Sequence, residues 1–475
     1  MTKKLKIGWT TNGELSYENL TMTGDTGWRI PIIEKLIERG HEVYWLGVKP
    51  HLATSDKILK GLKDCYYLKF RLNDYDDENQ SASEYYTEVL STYKGNIDFP
   101  ELDILFYEPR DFCVSHAGWQ WTLLDHYCQR PETVVTILDA DAVFLSHQDV
   151  PFAKKGDLVN RLKYSLGDRV VLLHYLAFGV REEINKDLPY KNLERFLMTG
   201  MPRELRNDSR AINPDPKYLI SYVGNDYDRR KMFEKFFSNE IKTKAKNPDG
   251  SKVIDKIDLG YTLHLFGKWS EEYLAETKFD QVKYYGIINQ EKAFDVYYDT
   301  VATLNLSRSI YAKNGWMSLR MFDVLDMNNI LLLSDDFWQA SKLAGERFVV
   351  SDKSQLKSVL DILAKLTPQS RQQIVDQQKT NFYNAIGLPV TSTIYDIAYK
   401  QADLLEMCYD KYFGKLEKKP FDIGYDLTKK YNPRIATDEE AKAYADNFSK
   451  KKALTVKKKR ERFDAELSVK LQGAV

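Results

Sequence analysis

Three stretches of this chain gather cationic, hydroxylic and acidic side chains in patterns suited to phosphate chemistry. The longest, 307–336, reads SRSIYAKNGWMSLRMFDVLDMNNILLLSDD and sets Arg308, Lys313, Ser318, Arg320 and Asp323 at the start of, and along, a helical segment. Unsatisfied N–H groups at a helix start favour a phosphate, and cationic donors stabilise a leaving diphosphate without a metal. In the second stretch, 218–230, Gly224 follows an apolar run and Arg229 stands beside Arg230; Gly267 and Lys268 follow another apolar run in the same way. The third is ILDADAVF, with Asp139 and Asp141 after a strand-like run. A D-x-D pair there suits a divalent ion bridging a diphosphate, a general base for an acceptor hydroxyl, or a plain turn cap.

Such residues need strands that end beside them, because ligands of open α/β sheets sit beyond the carboxyl ends of the strands. Short apolar runs at 5–9, 42–47, 102–107, 134–138 and 170–173 supply a first set. The first two are joined by the helical pattern Ile30, Ile33, Leu36, Ile37, ended by Gly40, and predict a βαβ unit. A Pro- and Asp-rich stretch at 207–216 interrupts the rhythm, and runs at 219–223, 262–266, 282–285, 302–306 and 330–333 repeat it. The expected organisation is one Rossmann-like domain over 1–206, a second over 217–385, and a crossing helix with a basic extension over 386–475. Glu108, Pro109 and Arg110 close a first-domain strand and are expected to face the cleft between the domains, unless they form a solvated loop.

A strand, a basic Gly-containing loop, a helix carrying S-x-R-x-F-D/E-x-L and a short apolar strand together resemble the donor-binding segment of GT-B glycosyltransferases, in the manner of the CgeB-like branch. The resemblance implies an α/β, GT-B fold: two doubly wound domains facing a cleft, with a C-terminal helical extension. It implies that Arg308, Lys313 and Ser318 hold the diphosphate of a nucleotide sugar, that Asp323, where Glu is commoner, bonds the ribose, and that Arg320 belongs to the same donor site. Gly224 and Arg229 then open the donor domain, and Lys268 lies where the family places nucleobase contacts. Gly24 to Arg29 (GDTGWR), opening a helix that ends in Arg39-Gly40-His41-Glu42-Val43, resembles the glycine-rich loop of the acceptor domain, with Gly24 and Gly27 at the cleft; a tight turn without a ligand is the alternative. Many retaining members carry an acid eight positions before the ribose-binding residue, and that position is Gly315, so retention is not implied.

The Lys- and Tyr-rich style also resembles bacteriophage DNA-modifying glycosyltransferases. That implies metal-independent hexosyl or pentosyl transfer, from a UDP-sugar foremost, to a hydroxymethylated pyrimidine in double-stranded DNA. Lys450, Lys451, Lys457, Lys458 and Arg460 would neutralise its phosphates, or form a solvated helix face. A target base would have to be extruded, for which Trp28, Trp119 and Trp121 are candidates alongside ordinary core packing. The same donor half would serve a polysaccharide, protein or small-metabolite acceptor, and the fold alone is compatible with a non-catalytic protein. His116, His126 and His174 are read as structural. No cofactor beyond the donor and no bound metal are expected.

Composition narrows the classes further. At 475 residues the chain is too long for one core, and 43% hydrophobic with 13% aromatic content supplies packed interiors. Lys plus Arg equals Asp plus Glu at 69 each, so any polyanion must be met by a local patch. Cys65, Cys113, Cys128 and Cys408 have no CxxC spacing, which argues against a zinc site or a disulfide framework. No apolar run nears the roughly 20 residues that span a bilayer, and no signal peptide is evident, so a soluble cytoplasmic protein is expected.

Overall fold

The computed structural model describes residues 3–10, 28–46, 61–63, 100–108, 124, 126–139, 166–182, 186, 188–197, 210–226, 228–246, 249, 252–256, 258–276 and 279–416. Gly24, Gly27, Trp119, Trp121, His116, Asp141 and the basic cluster at 450–460 lie outside them.

The first half builds a parallel sheet from β1 (Lys6–Thr10), β2 (Glu42–Trp45), β3 (Leu62–Lys63), β4 (Ile104–Tyr107), β5 (Val134–Leu138), β6 (Val171–His174) and β7 (Leu193–Arg195), with α1 (Arg29–Glu38) crossing from β1 to β2. Among the described residues it has seven strands in the order β3-β2-β1-β4-β5-β6-β7. The central strands β4, β5 and β6 are buried along their whole length, which is why their sequences ILFY, VVTIL and VLLH do not alternate.

The second half repeats the plan with β8 (Tyr218–Val223), α2 (Arg230–Phe237), β9 (Glu240–Lys246), β10 (Lys252–Lys256), β11 (Leu263–Phe266), α3 (Glu271–Ala275), β12 (Val282–Tyr284), α4 (Gln290–Tyr298), β13 (Thr300–Asn305), α5 (Ser309–Asn314), α6 (Leu319–Asp326), β14 (Ile330–Ser334), α7 (Ala340–Ala344), β15 (Val349–Val350), α8 (Lys353–Leu363), α9 (Pro368–Ile386) and α10 (Ile394–Tyr412). Among the described residues its main sheet is six-stranded and parallel, ordered β12-β11-β8-β13-β14-β15, while β9 and β10 form a separate antiparallel hairpin. Strand order reverses at β8/β13, so the crevice where such sheets bind ligands opens above the carboxyl ends of these two strands.

Helix α10 returns to the first sheet. It begins with a capping box at Thr393 and Asp396, and its Leu405, Cys408, Tyr409 and Tyr412 are buried in the first hydrophobic core. Polar contacts fix its register: Arg39 pairs with Glu406 (3.1 Å) and Asp403, His41 Nε2 meets Glu406 Oε1 at 2.6 Å, and Lys411 pairs with Glu194 at 2.6 Å. Leu5 N–H donates to His41 Nδ1 at 3.1 Å, so the proton of the neutral ring sits on Nε2 and points at Glu406. Among the described residues no helix is long and apolar enough to cross a membrane.

The solvated-loop alternative for Glu108 is corrected. Its carboxylate is not in a solvated loop but buried at the end of β4, receiving Arg29 Nε at 2.9 Å, Arg29 Nη2 at 2.6 Å and Trp9 Nε1 at 3.3 Å, while Pro109 and Arg110 lie outside the described residues. Arg29 opens α1 and is equally buried, and the indole of Trp28 beside it is core at 1% exposure. A buried pair stripped of one member leaves a charge without compensation, at a cost of about 3–5 kcal/mol, whereas apolar replacement of both is far better tolerated. Glu108→Ala is therefore expected to destabilise the first domain by about 3–5 kcal/mol, and Arg29→Met/Glu108→Leu together by less than either single change, read from the first-domain transition in urea.

Candidate functional site

The loops after β8 and β11 meet backbone to backbone. Gly224 has φ +155° and Gly267 φ +116°, and a Cβ on Gly267 would stand 2.2 Å from the carbonyl oxygen of Gly224. Gly224 N–H donates to Phe266 O (2.9 Å), Trp269 Nε1 donates to Gly224 O (2.7 Å), and Tyr284 OH donates to Gly267 O (2.8 Å). Asn225 Oδ1 accepts from Lys268 N–H at 3.1 Å, which laces the loops together and leaves the Lys268 side chain exposed.

Onto this crest converge arginines from three different segments. Arg320, in the first turn of α6, donates Nε to Val223 O (2.7 Å), lies 4.6 Å over the Tyr222 ring, and fills the space a Gly224 side chain would need. Arg229, leading into α2, donates Nε to Leu306 O at 3.0 Å. Arg308, ahead of α5, pairs with Asp228 at 3.7 Å and donates Nη1 to Tyr311 OH at 3.0 Å. Burial above all, with the neighbouring charges of Arg320 and Arg308 adding to it, lowers the Arg229 pKa. Guanidinium groups that press on one another in this way create a local excess of positive charge that an anion relieves.

Ser318 caps α6 in extended backbone, yet its Oγ is buried and makes no hydrogen bond among the described residues. Asp323 lies one turn along, 6% exposed, within the electrostatic reach of Arg320 and Tyr297. Lys313 is exposed near the end of α5. It lines a cavity of about 750 Å³ between α2 and α5, which Asp228, Lys231, Lys235, Ser307 and Ser309 also border.

Of the residues singled out in the second half, Gly224, Arg229, Arg308, Arg320 and Asp323 are linked by contact or charge, Lys268 follows Gly267 at the crossing of the two loops, Ser318 precedes α6, and Lys313 lies in α5 beside the cavity. Asp139 belongs to the other sheet, just beyond β5, at 1% exposure, its N–H donating to Leu173 O at 2.9 Å. Of the histidines, His174 is held neutral: burial first, then Arg195, pushes its pKa down to about 4, and its Nδ1 accepts from Leu176 N–H. Sequence reasoning passed over Asp228, whose non-glycine backbone takes a left-handed φ of 49° beside Arg308. Its D-Y-D-R-R context is the only local signal for it.

No family model matches this sequence, and neither does any curated protein. Solved structures do match in shape. Sucrose-phosphate synthase from Thermosynechococcus elongatus is 12% identical with a TM-score of 0.51, over 86% of this chain and 100% of that one. T4 phage β-glucosyltransferase, solved with UDP and Mn2+, is 14% identical with a TM-score of 0.47, over 81% and 100%. Thermobaculum terrenum O-GlcNAc transferase is 11% identical with a TM-score of 0.47, over 86% and 68%. Two parallel sheets with flanking helices, matched over the whole length of the first of these, make the fold GT-B.

Gly267→Ala combines a left-handed φ with a backbone clash, and is expected to cost several kcal/mol of second-domain stability, whereas Gly260→Ala, with φ +75° but Lys357 Nζ 3.6 Å from its Cβ, costs about 1 kcal/mol. Urea denaturation of the two variants side by side checks the difference.

Proposed function

We propose that this chain is a glycosyltransferase that holds the diphosphate of a UDP-sugar above β8 and β13 and passes the sugar to an acceptor hydroxyl presented by the first domain. The observation that carries the reading is the gathering of Arg229, Arg308 and Arg320 at the strand-order reversal, beside the N-terminus of α6 where Ser318 Oγ has no hydrogen-bond partner among the described residues. In the reaction the bond from the anomeric carbon to the diphosphate oxygen breaks, and a bond from that carbon to the acceptor oxygen forms. The acceptor proton goes to a carboxylate, Asp139 or Asp141, and the charge that grows on the leaving diphosphate falls to the arginines, Lys313 and the α6 N–H groups. Asp323 takes the ribose hydroxyls, and Lys268 borders the nucleobase. Closure of the cleft excludes water, which would otherwise compete as acceptor.

Fixed cations stand in this reading where a metal would, so EDTA leaves the rate unchanged. The acceptor we favour is a hydroxymethylated pyrimidine in double-stranded DNA. Support for it is the sequence resemblance to phage DNA-modifying enzymes together with Lys450, Lys451, Lys457, Lys458 and Arg460, a cluster able to bind phosphates within a chain of zero net charge.

A UDP-sugar at 100 times its dissociation constant is expected to stabilise the protein by about 2.7 kcal/mol in thermal melts. Arg308→Ala, which removes a charged hydrogen-bond donor, should weaken that donor about tenfold or more. No stabilisation by any nucleotide sugar would sink the enzyme reading. With the donor identified, hydroxymethylated duplex should release UDP in a salt-sensitive manner, and truncation after Ser449 should raise its KM; release with a glycan or small hydroxyl compound but not with DNA would remove the DNA acceptor and leave the donor assignment standing.

A further inference from the structure

The first domain reaches across and grips the loop that carries the donor-site residues. After β6 the chain at 175–177 runs alongside 315–317: Met317 N–H donates to Tyr175 O (3.3 Å), Ala177 N–H donates to Gly315 O (3.2 Å), and Leu176 forms an antiparallel bridge with Trp316. The Tyr175 and Trp316 rings pack with centroids 5.0 Å apart, and Trp316 is buried in the first domain's core. Four residues on, Arg181 donates Nη1 to Lys313 O (3.2 Å), in the last turn of α5, and its guanidinium lies 5.5 Å from the Trp338 ring centroid. The same indole is what a side chain on Gly315 would meet, at 3.1 Å, and Trp338 N–H donates to Ala312 O at 2.7 Å. From behind, Arg195 Nη1 holds both Ala177 O and Ala385 O at 3.0 Å, which ties the strap to the end of α9.

Helix α5 is six residues long and ends on left-handed Gly315, and Ser318 begins α6 with its side chain unsatisfied among the described residues. A cation on the last carbonyls of α5 both completes their hydrogen bonding and complements the helix dipole. We infer that Arg181, with the strap at 175–177, is a positioning residue for the nucleotide-sugar donor: it fixes the backbone of Lys313 to Ser318 so that Lys313, Ser318 and Arg320 surround one anion. The inference rests on the glycosyltransferase reading. It makes the donor site a property of both domains, because without the grip, donor binding must also order the loop.

The test compares donor kinetics of Arg181→Ala and Arg181→Lys with the wild type, alongside UDP binding. Arg181→Ala is expected to raise the donor KM and the UDP dissociation constant about tenfold while kcat changes less than about twofold, and Arg181→Lys, which keeps a cation and an N–H donor, to recover most of the loss. An Arg181→Ala protein that melts earlier yet keeps the wild-type donor KM would reduce Arg181 to a structural contact and overturn the inference alone. A wild type that binds no nucleotide sugar overturns the inference together with the function beneath it.

Discussion

Where the loops after β8 and β11 cross, no room exists for a side chain on either backbone. The carbonyl of Gly224 occupies the position of a Gly267 Cβ, and Arg320 occupies that of a Gly224 Cβ. Both glycines lie at φ values that other residues rarely adopt. With the backbones this close, Trp269 Nε1 reaches Gly224 O, Arg320 Nε reaches Val223 O, and the strand ends of β8 and β11 sit level. Arg320 owes its position to that geometry. Widening the crossing by one methyl group displaces Arg320 first and with it the charge arrangement above the sheet.

The molecule satisfies its buried arginines in two ways. Arg29 in the first domain is neutralised internally by Glu108, through hydrogen bonds of 2.9, 3.0 and 2.6 Å, and contributes to the core as a closed pair. Arg229 and Arg320 in the second domain spend their Nε donors on backbone carbonyls, which satisfy hydrogen bonding without cancelling charge. Asp228 and Asp323 offset part of the excess. A chain with zero net charge thereby gathers three arginines, only partly offset, where the order of the second sheet reverses.

Among the described residues, α10 and the strap at 175–181 both link the halves. Helix α10 packs its Leu405, Cys408 and Tyr412 into the first core, and the strap at 175–181 brings first-domain backbone onto the second domain's α5–α6 loop.

From the sequence by itself, the alternation of apolar runs with helical patterns determined the two doubly wound sheets, because parallel strands buried on both faces are written as unbroken stretches such as VVTIL and ILLLS. The strands it did not disclose are edge or hairpin strands: Leu62 of β3 and all of β7 are only partly buried, β15 is two residues long at the edge of the second sheet, and β9 (EIKTKAK) and β10 (KVIDK) carry charge along their length. Spacing along a single helix start also made Ser318, Arg320 and Asp323 a legible group, since residues within a turn or so of each other act locally. What each does was decided only by tertiary structure. Glu108 meets Arg29 across 79 residues, Arg320 reaches Val223 O across 97, and Arg181 reaches Lys313 O across 132. Partners at such separations are chosen by strand order and by the crossing of loops, and no local pattern of residue types encodes that choice.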